Sequence, residues 1–252
     1  MVKFSKDDYI DDYIKVNKMN KEINYLKIEP TERTKKETIV MFHGWGSSID
    51  SQVELGKELS NLGFAIVIPE IKYHDSRGAL KNHFDKAVLQ QYFWKTIFES
   101  IDEQKELLFN LNLKSEDIIL FGSSMGGFIA SGIFFSKLEF TGLININGSS
   151  SFIVTELDFR KLDHKEMMNK DQLLQFKHYD PKFKEFSPTQ KILFMHGEND
   201  QTIPIVGQND FLSHYKNLFN ENQLDFFTYK DVNHTITVEM KNELLKWLVR
   251  NY

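Results

Sequence analysis

The chain has 252 residues, of which 41% are hydrophobic and 27% are charged, a globular balance that predicts one large domain over residues 1–252. Its formal net charge of −5, with lysines interspersed among acidic residues, does not favour nucleic acid or anionic lipid as a partner. The absence of cysteine excludes disulfides, thiolate metal sites and a cysteine nucleophile, and it fits a reducing compartment.

The first segment, residues 1–17, alternates apolar and charged side chains and contains no apolar block of the kind found in signal peptides. No run of about 18 apolar residues occurs anywhere in the chain. We therefore expect a cytoplasmic protein without a membrane partner.

Short apolar runs bounded by turn residues recur along the chain and predict β-strands. The predicted strands are Ile23–Ile28, Thr38–Phe42, Phe64–Ile68, Asp117–Phe121, Leu143–Asn147, Ile192–Met195 and Leu224–Tyr229. Most of the later runs are almost continuously hydrophobic, as in strands buried on both faces of a parallel sheet, whereas the first alternates like an outer antiparallel strand.

Between these runs lie segments in which apolar residues recur at helical spacing. The predicted helices are roughly Ser51–Leu62, Asp85–Asn110, Ser124–Phe135, Val206–Phe219 and Thr237–Val249. Strands that alternate with helices favour an α/β fold in which a mostly parallel, doubly wound sheet is flanked by helices.

One stretch, Ser149–Ser187, breaks this alternation by inserting about forty residues between two consecutive strands, with helix-like apolar spacing through Leu157–Phe176. It carries more apolar surface than an exposed loop should show, so we expect a small cap, part of which packs on the carboxyl edge of the sheet. Its apolar residues are Phe152, Ile153, Val154, Leu157, Phe159, Met167, Met168, Leu173, Leu174 and Phe176.

The most specific motif is Gly122-Ser123-Ser124-Met125-Gly126, which follows a predicted strand and opens a predicted helix. Its G-x-S-x-G pattern fits Ser124 only, and a sharp strand-to-helix turn of this kind holds the serine in a strained conformation. The serine would lie at a helix N-terminus, where free N–H groups favour a developing oxyanion. We predict a catalytic nucleophile at Ser124, with a glycine-rich packing turn as the alternative.

A second glycine-rich turn, His43-Gly44-Trp45-Gly46, follows the predicted strand Thr38–Phe42. When a nucleophile lies on a strand-to-helix turn, the second oxyanion donor comes from the loop after this earlier strand. We therefore expect the backbone N–H of Trp45 to join that of Met125 in an oxyanion hole. His43 precedes the nucleophile in the chain and lies at a strand end, which argues against its being the catalytic base.

The catalytic acid and base are expected on the two loops that follow the last predicted strands. Asp200 follows Ile192–Met195 on a loop that ends at a proline, and Glu198 on the same loop is its nearest rival. His234 follows Leu224–Tyr229, directly before the last helix. The order Ser, Asp, His, each after a strand, favours a catalytic triad of Ser124, Asp200 and His234.

The other histidines lack paired metal-ligand spacing on one helical face, so we expect no catalytic metal. They are His74, His83, His164, His178, His196 and His214.

Taken together, the motifs HGWG, GSSMGG, HGENDQTIP and VNH resemble those of the α/β-hydrolase superfamily, in particular its small bacterial esterases and prolyl-oligopeptidase-like members. The resemblance extends from about residue 22 to the end. The segment from Tyr73 to Gly78 is similar to the H-G-x-R loop of those proteins, with Asp75 replacing the usual glycine. Asn233 likewise replaces a glycine that often precedes the histidine.

The resemblance implies an α/β-hydrolase fold and a serine esterase that forms an acyl-enzyme without a cofactor. The partner expected is a small-molecule ester, and the small cap predicts short acyl chains. Three alternatives remain: a thioesterase, a prolyl-oligopeptidase-like peptidase, and a catalytically inactive binding module. Oligomeric state does not follow from the residues.

Overall fold

The computed structural model of the protein describes residues 23–136, 139–185, 190–215, 218–219 and 222–252. The predictions for residues 1–17 lie outside these ranges, as do the end of the predicted cap at residues 186–187 and residues 216–217 of the predicted helix Val206–Phe219.

Seven strands form one sheet within the described ranges, close to the positions that the apolar runs predict. They are β1 Tyr25–Ile28, β2 Thr38–Phe42, β3 Ala65–Pro69, β4 Ile118–Ser123, β5 Gly142–Ile146, β6 Lys191–Gly197 and β7 Leu224–Tyr229. Their order is β1-β3-β2-β4-β5-β6-β7, and each neighbouring pair is parallel except β1 with β3. The predicted outer antiparallel strand and mostly parallel sheet are confirmed.

The winding of the sheet reverses between β2 and β4. β3 lies on one side of β2, whereas β4 to β7 follow in order on the other side. In open α/β sheets a crevice forms at such a point, beyond the carboxyl ends of the strands. Phe42 at the end of β2 is paired with Gly122 near the end of β4. The two glycine-rich turns that follow these strands are therefore neighbours.

Helices cover both faces of this sheet. They are α1 Val53–Ser60, α2 Lys86–Asp102, α3 Gln104–Leu111, α4 Met125–Phe134, α5 Phe152–Leu162, α6 Lys170–Tyr179, α7 Val206–Tyr215 and α8 Val238–Asn251. Within the described ranges, no helix is both long and apolar enough to cross a bilayer.

Two apolar cores lie between the sheet and its helices. One contains Leu59 of α1 and Trp247 of α8, and the other contains Ile97 of α2, Phe128 of α4 and Phe211 of α7. Successive residues of the central strands enter opposite cores, because side chains alternate across a strand. This two-sided burial explains why the central strands read as continuous hydrophobic runs.

The single predicted helix Asp85–Asn110 is wrong, because α2 and α3 are separate helices. Glu103 interrupts them, with φ −84° and ψ 4°. Its carboxylate accepts two hydrogen bonds from the Arg77 guanidinium, at 2.7 and 2.9 Å. The helical spacing of apolar residues continues through this position and does not indicate the break.

The inserted segment, for which the sequence predicts helix-like spacing through Leu157–Phe176, forms two helices, α5 and α6. We call residues 149–185 the cap segment. Phe152 and Phe176 are buried against Trp94 of α2, with ring centroids 5.5 and 4.7 Å away. Three of its predicted packing residues are exposed instead, namely Met167, Leu173 and Leu174. Part of the apolar surface thus packs, and part faces solvent.

Candidate active site

Ser124 lies between β4 and α4 on a turn that only close backbone packing can hold. Its φ of 55° and ψ of −127° are strained for a residue with a side chain. Its N–H donates to the Ile146 carbonyl oxygen at 2.9 Å, which ties the turn to β5. We call residues 122–127 the nucleophile turn, after the role predicted for Ser124.

Two glycines make this turn possible. A Cβ on Gly122 would overlap the carbonyl oxygen of Gly126, and a Cβ on Gly126 would overlap the carbonyl oxygen of Phe42 in β2. The spacing of glycines around Ser124 therefore reflects contact between backbones, as the motif predicts.

Three side chains from three loops form one hydrogen-bonded line. The Ser124 Oγ lies 2.8 Å from His234 Nε2, and His234 Nδ1 lies 2.6 Å from Asp200 Oδ2. For this geometry to hold, the Ser124 hydroxyl donates to Nε2 and the Nδ1–H donates to the carboxylate. The His234 side chain is 22% exposed and that of Asp200 is fully enclosed, so the aspartate end of this line is shielded from solvent.

The Asp200 carboxylate is held on its other side as well. Its Oδ1 accepts the backbone N–H groups of Thr202 and Ile203, each at 2.9 Å. His196 lies beside it, with Nε2 at 3.5 Å from Oδ2 and at 2.8 Å from the carbonyl oxygen of Ile203. Burial lowers the pKa of His196, which favours the neutral ring. The carboxylate is thus oriented before any substrate arrives.

Two asparagines tie the loop of Asp200 to the loop of His234. The Asn147 amide accepts from the Gly197 N–H at 3.0 Å and donates to the Thr235 carbonyl oxygen at 2.9 Å. Asn233 Oδ1 accepts from the Gln201 N–H at 3.0 Å. Asn233 is not in the left-handed conformation that a glycine would suit. Its side chain has a role that glycine could not fill, because it accepts this hydrogen bond.

Asn147 was not predicted as a site residue, although a polar residue at the end of a buried strand indicates a position that needs hydrogen-bond partners. It is 3% exposed, with φ 53°, immediately after β5. A buried amide at the carboxyl edge of a sheet needs hydrogen-bond partners, and the loops that follow the adjacent strands are the nearest source.

The turn after β2 lies directly against Ser124. A Cβ on Gly44 would lie 3.3 Å from the Cβ of Ser124 and 3.6 Å from its Oγ. Met125 begins α4, so its N–H belongs to the free helix N-terminus. In the described part of the chain, we find no hydrogen bond from the backbone N–H of Trp45 or Met125 to a protein acceptor. Neither N–H is therefore engaged by another described group of the protein, as an oxyanion donor requires.

The two rival residues point elsewhere. The His43 ring is buried, and its Nε2 lies 3.3 Å from Asp75 Oδ2. Glu198 accepts the Thr228 hydroxyl at 2.7 Å. Over the described ranges, no cluster of three or more His, Cys, Asp or Glu side chains is arranged to hold a metal ion.

The loop after β3 contains the segment that resembles an H-G-x-R loop. Asp75, which replaces a glycine in the resembling loops, has φ 46°, a conformation that suits glycine and that aspartate tolerates. Arg77 binds Glu103, and its Nη1 also donates to the carbonyl oxygen of Glu70 at 3.0 Å. These contacts anchor the loop beside the turn after β2.

Comparison with known proteins agrees with this architecture. Residues 54–252 match the family model described as the prolyl oligopeptidase family. A Bacillus subtilis (strain 168) protein, YitV, described by name as a candidate esterase, is 22% identical over 234 residues, which cover 83% of this chain and 87% of that protein.

Two solved structures share the fold. TT1662 from Thermus thermophilus superposes with a TM-score of 0.69 at 17% identity, covering 90% of this chain and 93% of its own. Esterase PE8 gives a TM-score of 0.61 at 16% identity, covering 90% and 97%. These likenesses confirm the predicted α/β-hydrolase fold.

Proposed function

The chain belongs to the prolyl oligopeptidase family and is a serine hydrolase of the α/β-hydrolase class, and from this premise we propose that it hydrolyses short-acyl carboxylic esters. In this proposal Ser124 is the nucleophile, His234 the general base and Asp200 the acid that orients it. The oxyanion donors are the N–H groups of Trp45 and Met125.

The observation that carries the proposal is the continuous hydrogen-bonded line from Ser124 through His234 to Asp200, with both distances below 3 Å. A general base needs to lie within hydrogen-bond reach of the proton it removes, and its far nitrogen needs a partner that selects the tautomer. Both conditions hold here. A serine that only packs a turn would not require either.

The mechanism follows from these contacts. Ser124 Oγ attacks the ester carbonyl carbon as its proton passes to His234 Nε2, and the carbonyl oxygen becomes an oxyanion between the two N–H donors. The tetrahedral intermediate expels the alcohol, which takes the proton from His234. Water then attacks the acyl-enzyme with His234 again as base, and the acid is released.

The acyl chain is expected to lie near a line of aromatic rings that leads from Trp45, in the turn after β2, to the cap segment. Trp45 contacts Phe93 with ring centroids 5.9 Å apart, and Phe93 contacts Phe159 of α5 at 6.1 Å. A small aromatic wall of this kind suits acyl groups of roughly two to six carbons and does not suit long lipid chains.

A peptidase is the second candidate, because the matching family is described by a peptidase. It would use the same three side chains and the same oxyanion donors, and it would differ in cleaving an amide with an amine leaving group. YitV, which is described as a candidate esterase, supports the ester reading instead.

Labelling with a fluorophosphonate probe tests the nucleophile. We expect the wild-type protein to incorporate one probe per chain at Ser124, and Ser124→Ala to fold normally, to incorporate none and to lose at least about 10⁴-fold in kcat. Ser123→Ala is the matched control, because it removes the neighbouring hydroxyl and leaves the triad complete. Labelling that persists in Ser124→Ala, or turnover near the wild-type rate, would refute the assignment.

A substrate panel then separates the candidates. Purified protein is assayed with p-nitrophenyl esters, acyl thioesters and aminoacyl amides of matched acyl groups. The proposal predicts the highest kcat/KM for short esters. Faster cleavage of aminoacyl amides would establish the peptidase, faster thioester cleavage would establish a thioesterase, and an unlabelled, inactive protein would be a binding module.

A further inference from the structure

A group of three histidines that the proposed mechanism does not use lies at the turn after β2. We call residues 43–47 the oxyanion loop. His43 belongs to this loop, His74 to the loop after β3, and His83 to the segment before α2. The rings are adjacent, with centroids 5.1 Å apart for His43 and His74 and 4.3 Å apart for His74 and His83.

His74 contacts the oxyanion loop through its ring nitrogen. Its Nε2 accepts the backbone N–H of Gly46 at 3.0 Å, and its Nδ1 lies 3.0 Å from the carbonyl oxygen of Lys72. A carbonyl oxygen only accepts, so Nδ1 carries the hydrogen, and an N–H only donates, so Nε2 carries none. The hydrogen bonds therefore define one neutral tautomer of His74.

The surroundings keep this ring neutral. His74 is 1% exposed, and burial lowers its pKa to about 4. The hydrogen bond to the Lys72 carbonyl and the nearby Asp75 raise the pKa of His74, whereas His43 and His83 lower it further. The ring consequently remains an acceptor for Gly46 wherever a histidine base is active.

The contact with Gly46 fixes the turn that carries Trp45. The Ser47 N–H donates to the Gly44 carbonyl oxygen at 3.2 Å, and Gly46 has φ 69°, which describes a tight turn with a left-handed third residue. The Gly46 N–H lies in the middle of this turn, directly after Trp45, so its hydrogen bond to His74 ties the turn to the loop after β3. The Trp45 indole is bound too, because its Nε1–H donates to the His83 carbonyl oxygen at 2.8 Å.

We propose that His74 is a positioning residue for the oxyanion hole: by accepting the Gly46 N–H it holds the turn in the form that presents the Trp45 N–H to the substrate oxyanion. The inference rests on the proposed function of the Trp45 N–H. His74 touches no reacting atom, and it acts through the backbone of the oxyanion loop. Preorganised donors are effective because they need no reorientation as charge develops.

Two substitutions separate this role from packing. His74→Phe keeps an aromatic ring and removes the acceptor, and His74→Gln restores an acceptor oxygen at about the position of Nε2. His83→Phe is the comparison variant, since its backbone carbonyl still accepts from Trp45. Each variant is titrated with a fluorophosphonate to count active sites, and its melting temperature is measured.

The decisive measurements are kcat and KM for a short ester and the inhibition constant of a trifluoromethyl ketone, which forms an oxyanion on the serine. For His74→Phe we expect kcat to fall by about 30-fold to 100-fold with KM within about threefold, and ketone affinity to fall by a similar factor. His74→Gln should recover most of both losses, and His83→Phe should lose less than His74→Phe.

Several results would overturn the proposal. They are a lower kcat with unchanged ketone affinity, a raised KM with unchanged kcat, or a glutamine variant no better than phenylalanine at equal melting temperature. If His74→Phe does not fold, NMR of the wild-type protein labelled with ¹⁵N-histidine replaces it. The proposal predicts the signal of a neutral histidine ring protonated at Nδ1, and this signal should be missing from the spectrum of His74→Gln. A wild-type spectrum without this signal refutes the proposal. A wild-type protein that neither labels nor hydrolyses esters refutes the proposed function first, and that tautomer signal would still establish the His74 contact.

Discussion

The nucleophile turn and the cap segment both follow the carboxyl ends of central strands, but different contacts hold them. In the nucleophile turn, backbone atoms of β2, β4 and α4 pack so closely that a single Cβ would overlap a carbonyl oxygen. The cap segment is held by side chains, such as the Glu156 carboxylate that accepts from Trp94 and Arg160, each at 2.6 Å. In the proposed function, the chemistry takes place at the closely packed turn, and the cap segment selects the substrate.

If the comparison is right, the largest effect after that of Ser124→Ala is expected at Asp200, which is joined to the nucleophile turn through His234. Asp200→Asn should lower kcat by about 10³-fold to 10⁴-fold with little change in KM, because the amide cannot stabilise the imidazolium or hold its tautomer. Steady-state kinetics on a short ester measures this. Glu198→Gln is the matched control on the same loop, and the assignment of the acid is wrong if that variant is crippled while Asp200→Asn is mild.

A methyl group added to the nucleophile turn tests its backbone packing. Gly126→Ala should destabilise the fold by about 3 kcal/mol or more, because the new Cβ overlaps the Phe42 carbonyl oxygen and β2 and α4 are forced apart. Gly78→Ala is the control: it has open space around the Cβ and only a strained φ of 83°, and should cost about 1 kcal/mol. Denaturant unfolding compares them, and equal losses would contradict the packing argument.

A buried carboxylate makes the cap segment sensitive to pH. Asp180 accepts the backbone N–H groups of Ile153 and Lys182, and burial raises its pKa from 3.8 to about 6. Since the folded pKa is the higher one, the folded chain binds this proton more tightly, and the associated stability is present below about pH 4 and lost as the pH rises through 6.

Asp180→Asn removes this titration. From pH 4 to pH 7 the free energy of unfolding of the wild-type protein should fall relative to the variant by about 2 to 3 kcal/mol. Denaturant unfolding at several pH values measures the difference. Parallel curves for the two proteins would show that folding does not raise the pKa of Asp180.

The smallest effect is expected at Phe159, the residue of the cap segment whose ring contacts Phe93. Phe159→Ala should move the best p-nitrophenyl ester toward longer acyl chains, with a change of about threefold to fourfold in kcat/KM per methylene accommodated. Leu174→Ala, on the exposed part of the cap segment, should leave the chain-length profile unchanged. A wild-type kcat/KM that rises steadily out to long chains would defeat the short-acyl proposal.

Much of the fold could be predicted from the sequence because the information is local. The apolar runs of the central strands and the helical spacing between them follow from burial on two faces, and the glycines around Ser124 mark a turn that no other residue could form. Ser124, Asp200 and His234 each follow a predicted strand. Because parallel strands bring their carboxyl ends to one edge of the sheet, the sequence alone predicts that these three residues lie close together.

The remaining features depend on contacts between residues that are distant in the chain. Asn147 meets Gly197 and Thr235, which lie 50 and 88 residues later, and His74 meets Gly46, which lies 28 residues earlier. The ion pair of Glu103 with Arg77 likewise joins residues 26 positions apart. Periodicity and short motifs describe what a segment does with its neighbours, whereas a buried hydrogen-bond partner supplied by another loop exists only once the sheet has brought the two loops together.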